Sequence, residues 1–381
     1  MWSFKIKIQD WLLIALFFIS WHVMFVSSPV WRILKVFIVI GSFIYLFSRT
    51  SVRKFKSWTT IFVAVIIIAT VIGFINKYIE LRSVVDGVLY AFNLFDLFLL
   101  AIYVEKKRQI QRYFDTLFWI GLVYAFLSIA SIFMLNKSEQ GGKTYLFGSK
   151  FVTCYLLFFF VSLVLTRYGY KMKHMKVYAL ICCLLLGIVA FISLQIDSTT
   201  GVVAAGIMVV FLLAPCKMQK WFGNSKALVM TLLVMAVVPV VFQSILSLGF
   251  VQHFISRFDE TSSIYGRLRI YQKLFEIINN RPLLGYGYGN TIVSQIVGFG
   301  NAQNGMLNFA INYGFLGVLS FFACSASALH KVIINERYLP LLSFVYMMIF
   351  CSSIEVSFNN LFFISLYTLM ICGRQEEIKH G

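Results

Sequence analysis

The chain runs to 381 residues, 60% of them hydrophobic and only 13% charged, with 40 Phe and a mean hydropathy of +0.84. A soluble domain carries about 45–50% apolar and roughly 25% charged residues, so this composition excludes a water-soluble globule, and the lack of low-complexity sequence excludes a disordered or fibrous chain. The formal charge of +18 lies in short clusters between apolar runs, which is how cytoplasmic loops are pinned, and no nucleic-acid partner is expected.

About 20 apolar residues cross a bilayer, and twelve intervals meet that need: approximately 10–27, 30–47, 58–75, 84–104, 114–135, 150–166, 177–195, 201–215, 227–249, 304–329, 338–354 and 357–373. They predict an all-α polytopic membrane protein of about 12 transmembrane helices. Helices one to nine fill 1–249, a large extracytoplasmic loop fills 250–303, and the last three helices with a cytoplasmic tail fill 304–381. The start, MWSFKIKIQDW, enters the first span without an A-x-A-like cleavage site and reads as retained rather than as a signal peptide. Loops SRTSVRKFKS, EKKRQIQRY, RYGYKMKHMK, CKMQKWFGNSK and HKVIINER alternate with less basic ones. With the termini they hold 21 Lys and Arg against 10 on the other side, so both termini are expected in the cytoplasm.

Polar residues inside spans are costly and are functional candidates by default. Along the chain these are Asp86, Asn93, Asp96 and Glu355, with pairing to Arg32 or Lys35, inside the second span, as the structural alternative. His22 reads as a packed or interfacial histidine. The seven cysteines lie in or beside apolar segments without a CxxC, and imply neither a disulfide framework nor a zinc site. No metal is expected, because no HExxH or acidic triplet is present.

Three outer elements carry the chemistry. In KTYLFGSKF, Lys143 and Lys150 bracket a glycine turn against the positive-inside rule. In IDSTTG, Asp197, Thr199 and their neighbours either hold a phosphate or sugar at a helix start, or simply cap that helix. The third element is the 54-residue interval 250–303, too long for a plain connector. In YGRLRIYQKLFEIINNRP, Leu268, Tyr271, Phe275 and Ile278 share one apolar face opposite Arg269, Lys273 and Glu276, so a helix is predicted to lie on the membrane surface and to end at Pro282. Arg257, Arg267, Arg269, Lys273 and Arg281 fall within 25 residues, which suits an anionic ligand, Arg being the better phosphate reader through its planar fork. Solvated cations facing lipid headgroups are the plainer reading. The glycines of LLGYGYGN have neither the preceding strand nor the following lysine of a nucleotide loop, so no nucleotide cofactor is expected.

Residues 256–317 resemble the signature of the O-antigen ligase and polysaccharide polymerase superfamily, most closely the repeat-unit polymerases of the Wzy type. The likeness rests on an Arg-bearing loop, Gly266-Arg267 with Tyr271, the P-x-x-G-x-G-x-G run from Pro282 to Gly289, Asn304 opening a span, and Gly314 with Gly317. YLFGSKFVTCYL and DSTTGVVAAG resemble the corresponding outer loops. Where the family often has His before Asn this chain has Gln303, which cannot serve as a general base and weakens the ligase reading.

The resemblance implies a GT-C-like, metal-independent glycosyltransferase without cofactor in a bacterial plasma membrane. Its substrate would be an undecaprenyl-diphosphate-linked oligosaccharide, and a chain-length regulator and a flippase would be its companions in capsule, exopolysaccharide or O-antigen synthesis. Arg257 and Arg267 are implied as clamps on the diphosphate, and Arg269, Lys150, Asp197, Thr199, Gln303 and Asn304 as further binding residues. A base, if one is needed, is open among Asp259, Glu260 and Glu355. A flippase of lipid-linked oligosaccharide, or a ligase of the same superfamily, is the alternative.

Overall fold

The computed structural model describes residues 6–21, 23, 26–50, 57–134, 137–139, 142–169, 175–246, 271, 273–298, 300–330, 332 and 334–380. Each of the twelve predicted intervals contains a helix. In order these are α1 (Ile8–Phe18), α2 (Ser28–Arg49), α3 (Trp58–Ile75), α4 (Leu81–Lys106), α5 (Ile110–Met134), α6 (Lys150–Tyr168), α7 (Met175–Gln195), α8 (Thr199–Leu213) and, after the short α9 (Cys216–Phe222), α10 (Ser225–Leu246). The chain continues with a helical stretch at 273–280, the short α11 (Ile292–Val297), α12 (Gly305–Ala328), α13 (Leu339–Cys351) and α14 (Asn360–His380). Seven of them, α2 to α7 and α12, are long and apolar enough to cross a membrane; α1, α8 and α13 are shorter, and α10 and α14 contribute the shorter apolar segments Ser225–Pro239 and Asn360–Arg374.

Which helices lie inside follows from their sequences. α4 runs buried from Asn93 to Val104, and α13 and the first half of α14 are buried on nearly all sides, as a helix apolar all round must be in a bundle interior. The outer helices turn large apolar side chains outward: Phe37 is 73% exposed, Phe126 70% and Val210 68%. Water would not tolerate that surface, and lipid does. The centre is held by an aromatic seam in which Phe62 of α3 stacks near Phe309 of α12 and Phe363 of α14, with Phe321 beside them.

One small sheet departs from the all-helical expectation. Strands β1 (Lys137–Glu139), β2 (Gly142–Tyr145) and β3 (Gly148–Ser149) form an antiparallel ladder between α5 and α6. What reads in sequence as a glycine turn is thus a hairpin, with Gly148 at a φ of 116°. Phe147 stacks on Tyr124 at 4.6 Å and anchors the hairpin to α5.

The stretch 273–280 ends at Arg281 and Pro282, as predicted, but its face differs. Tyr271, Leu274, Ile277 and Ile278 are buried with Tyr286, Val293, Leu307 and Ile311, whereas Lys273 and Glu276 are exposed. Leu274 and Ile277 were not on the predicted apolar face. The stretch packs on its own satellite core, against the turn and α12, rather than on lipid.

Candidate functional site

The LLGYGYGN segment is the keystone of this end of the bundle, for a backbone reason. α12 is broken at Gly314, which has φ 64° and ψ −169°, a region essentially reserved for glycine. In an unbroken helix Phe315 N–H and Leu316 N–H would donate to Ile311 and Asn312. Here they donate to the carbonyls of Pro282 (2.7 Å) and Leu283 (3.2 Å), while Ile311 and Asn312 accept from Tyr286 N–H (2.8 Å) and Gly287 N–H (2.9 Å). Four bonds to the turn replace two within the helix, so these four backbone groups of α12 stay paired in a setting where each orphan is costly.

The turn sits tightly. A Cβ on Gly285 would fall 2.3 Å from the Ile311 oxygen, one on Gly73 of α3 2.3 Å from the Tyr286 oxygen, and one on Gly87 of α4 2.7 Å from Tyr288 Cβ. Asn290 Nδ2 donates to Gly287 O (2.8 Å) and Asn312 Oδ1 (2.7 Å), and Tyr286 hydroxyl donates to Ile277 O (3.0 Å). Arg281, one of the five clustered cations, donates to Tyr78 hydroxyl (2.7 Å) and lies 4.9 Å over that ring. It fastens the turn to the α3–α4 connection.

The turn roofs a polar cavity of ≈ 340 Å³. Its walls come from the residues after α1 (Ser20, Trp21), from α2 (Lys35), from the first turns of α4 (Asp86, Tyr90, Asn93), from Val152 at the start of α6, and from Tyr288. α12 adds Asn308 and Asn312, and the connector to α14 adds Val356, Asn359 and Asn360. The amino-terminal halves of α2, α4, α6, α12 and α14 therefore meet at one place. Tyr288 stacks on Tyr90 at 5.4 Å. Burial first, then the charge of Asp86, pushes the Tyr288 hydroxyl up to about 12, so it stays a hydrogen-bond donor at neutral pH.

The sequence candidates divide into three groups. Arg257, Arg267, Arg269, Asp259, Glu260 and also His22 lie outside the described residues. Lys150 Nζ donates to the carbonyl of Asp197 at 2.6 Å, joining the start of α6 to the α7–α8 turn. Asp197 takes a left-handed φ of 56°, Asp197 and Thr199 are exposed, and Ser198 stands at the N-cap of α8 without a capping bond. Asn304 is fully buried, and its side chain accepts from Leu307 N–H (2.9 Å) and donates to Ser353 O (2.8 Å). It is a helix cap, and Gln303 beside it has φ 46° and a backbone carbonyl that accepts from Tyr271 hydroxyl at 3.5 Å. Glu355 falls in the connector between α13 and α14 rather than in a span, half-buried and within electrostatic reach of Tyr155 and Cys351. The lining of the cavity includes Val152 and Val356 but none of Lys150, Asp197, Thr199, Gln303, Asn304 and Glu355.

Of the intramembrane polar residues, Asp86 takes both arms of Arg32 (3.1 and 3.2 Å), the pairing that the sequence left open. Asn93 lines the cavity. Asp96, one turn farther along α4, is fully buried with neither carboxylate oxygen hydrogen-bonded among the described residues. An unsatisfied buried polar group costs about 1–3 kcal/mol, so Asp96→Leu is expected to raise the unfolding temperature in detergent, as a thermal melt would show. The ring of Asn308, Asn312, Asn359 and Asn360 was missed in sequence. Its signal was present as amides at i and i+4 on one face of a predicted span, and as a paired Asn at the start of α14. Among the described residues no three His, Cys, Asp or Glu come together as a metal ligand set.

Residues 181–322, from within α7 to within α12, match the family model described as O-antigen ligase. The match includes the turn, the broken helix and the Asn304 cap, and it supports the O-antigen ligase and polymerase superfamily indicated by the motifs. No curated protein matches the chain at significant similarity. The match supports a ligase- or polymerase-type function in glycan assembly.

Proposed function

We propose, with the O-antigen-ligase character of residues 181–322 as the premise, that the protein is a repeat-unit polymerase. It transfers a growing glycan from undecaprenyl diphosphate to the terminal sugar hydroxyl of a second lipid-linked unit at the outer face of a bacterial plasma membrane. The observation that carries this reading is the polar cavity at the end where the family's glycine turn meets the amino-terminal portions of five helices. The twelve-span topology, with both termini cytoplasmic, belongs to the same proposal and places that end outside.

In the reaction the acceptor oxygen bonds to the anomeric carbon as the bond from that carbon to the diphosphate oxygen breaks, and the hydroxyl proton leaves to a base or to water. Negative charge grows on the diphosphate, and preorganised guanidinium groups aimed at it lower the barrier. Arg257 and Arg267 are assigned that task, with Arg269 and Lys150 as additional cations and the α8 start at Asp197 and Thr199 beside Lys150. Most of the remaining work is positioning the acceptor. Glu355 is the base candidate that lies among the described residues, next in sequence to the cavity-lining Val356; Asp259 and Glu260 are its rivals from the loop. Asn304 supports the reading as a positioning residue, since it ties α12 to the segment that carries Glu355. The absence of His at Gln303 favours polymerase over ligase.

Deleting the gene in its host and sizing the undecaprenyl-linked saccharides, with an impermeant glycosidase reporting their side, tests this. Single units accumulating outside, with polymer lost, is the expected result. Units trapped inside would indicate a flippase, long outer chains a ligase, and an unchanged pool would overturn the reading.

A further inference from the structure

The cavity under the turn holds polar atoms that the protein does not satisfy. Asn93 and Asn360 are 4% and 6% exposed, and each has an amide oxygen without a hydrogen-bond partner among the described residues. Buried polar groups are nearly always paired, so both call for a donor from whatever fills the space. Lys35 lines the same cavity, and among the described residues no hydrogen bond or ion pair holds its ammonium. Asp86, whose charge acts on it, is already gripped by Arg32. Together the three charges leave one net positive. The stacked rings of Tyr90 and Tyr288 add a flat aromatic surface.

These features describe a ligand by its chemistry. It must bring hydrogen-bond donors for the two amide oxygens, one negative charge for Lys35, and an apolar face for the tyrosines. A neutral sugar would leave Lys35 without a partner. A diphosphate brings more than one charge and no donors. A sugar ring bearing a single anionic group meets all three needs, and ≈ 340 Å³ is at the low end of ligand pockets, about 300–1,000 Å³. We propose that this cavity seats a singly charged acidic sugar, the terminal residue of the acceptor glycan, and that Lys35 selects for its anionic group. Its assignment to the acceptor rests on the polymerase reading; its ligand chemistry does not. A phosphatidylglycerol headgroup is the other source of a singly anionic polyol.

The test uses the full chain in phosphatidylcholine nanodiscs, with methyl glucuronide and methyl glucoside as probes in ligand-detected NMR titrations. The glucuronide is expected to bind about tenfold tighter, the value of one charge-assisted hydrogen bond. Lys35→Met should erase that preference, Lys35→Arg should keep it, and Asn93→Leu should weaken both probes. Equal binding of the two probes by the unaltered protein overturns the proposal, a result that needs no variant to fold. So does a preference that survives Lys35→Met. Loss of the glucuronide signal in phosphatidylglycerol nanodiscs also overturns it, by making the lipid headgroup the occupant. A glucuronide preference in a protein whose deletion leaves the lipid-linked pool unchanged would keep the site and remove the polymerase. Polymer lost on deletion, with no preference, would do the reverse.

Discussion

Gly314→Ala is expected to destabilise the protein by about 3–5 kcal/mol and to abolish polymer formation with it. The added Cβ would lie 2.2 Å from the carbonyl carbon of Leu283 and 2.4 Å from Leu284 N, against backbone rather than a flexible side chain. The alanine would also have to hold φ 64° and ψ −169°, where an L side chain is strained. Relief requires either a straightened α12, which forfeits the four bonds to the turn, or a displaced turn, which moves Tyr288 out of the cavity wall. Gly285→Ala should behave alike, since its Cβ would meet the Ile311 oxygen at 2.3 Å. Gly206→Ala on α8, with nothing within 4 Å of the new Cβ, is the control and should be neutral or slightly stabilising. Thermal melts of the purified proteins in detergent, with membrane abundance beside them, check the series. A Gly314→Ala protein that melts with the parent would mean the helix break is dispensable.

Arg267→Ala is expected to cut chain extension by about 10²–10³-fold while leaving the protein in the membrane at its usual abundance. The argument is one of charge development. The diphosphate gains negative charge only as the glycosidic bond breaks, so a guanidinium held on it acts on the transition state more than on the bound substrate. Arg267→Lys should rescue poorly, because lysine offers a point charge where arginine offers two parallel donors. Polymer length measured on gels from a complemented deletion strain reads both variants. Retained length in the alanine variant would remove Arg267 from the mechanism, and near-normal polymer from the lysine variant would mean that charge alone suffices.

The parts of the site that were legible in sequence are those whose residue type has one physical use. The glycines at 285, 287 and 289, all at positive φ, stood out in sequence as the P-x-x-G-x-G-x-G run. Asn304 before an apolar run read as the opening of a span, and it caps that helix. By contrast, Lys35 and Asp86 lie 51 residues apart in sequence, and nothing local says that Arg32, rather than Lys35, would take the carboxylate. The hairpin at 137–149 was misread because its strands run to only three, four and two residues, too short for a period-two pattern to register.

Hydropathy and charge by themselves determined that this chain belongs in lipid and where its helices fall along the sequence. Each of those is a sum over many residues and tolerates local exceptions. The tertiary structure alone decided which helices lie inside, that α12 breaks at Gly314 to take the turn, and that amides from α4, α12 and α14 surround one cavity with an uncommitted lysine. The physical reason is that these are pairings. An unsatisfied carbonyl, an unpaired ammonium or a colliding Cβ exists only once a second segment arrives, and its partner lies dozens to hundreds of residues away.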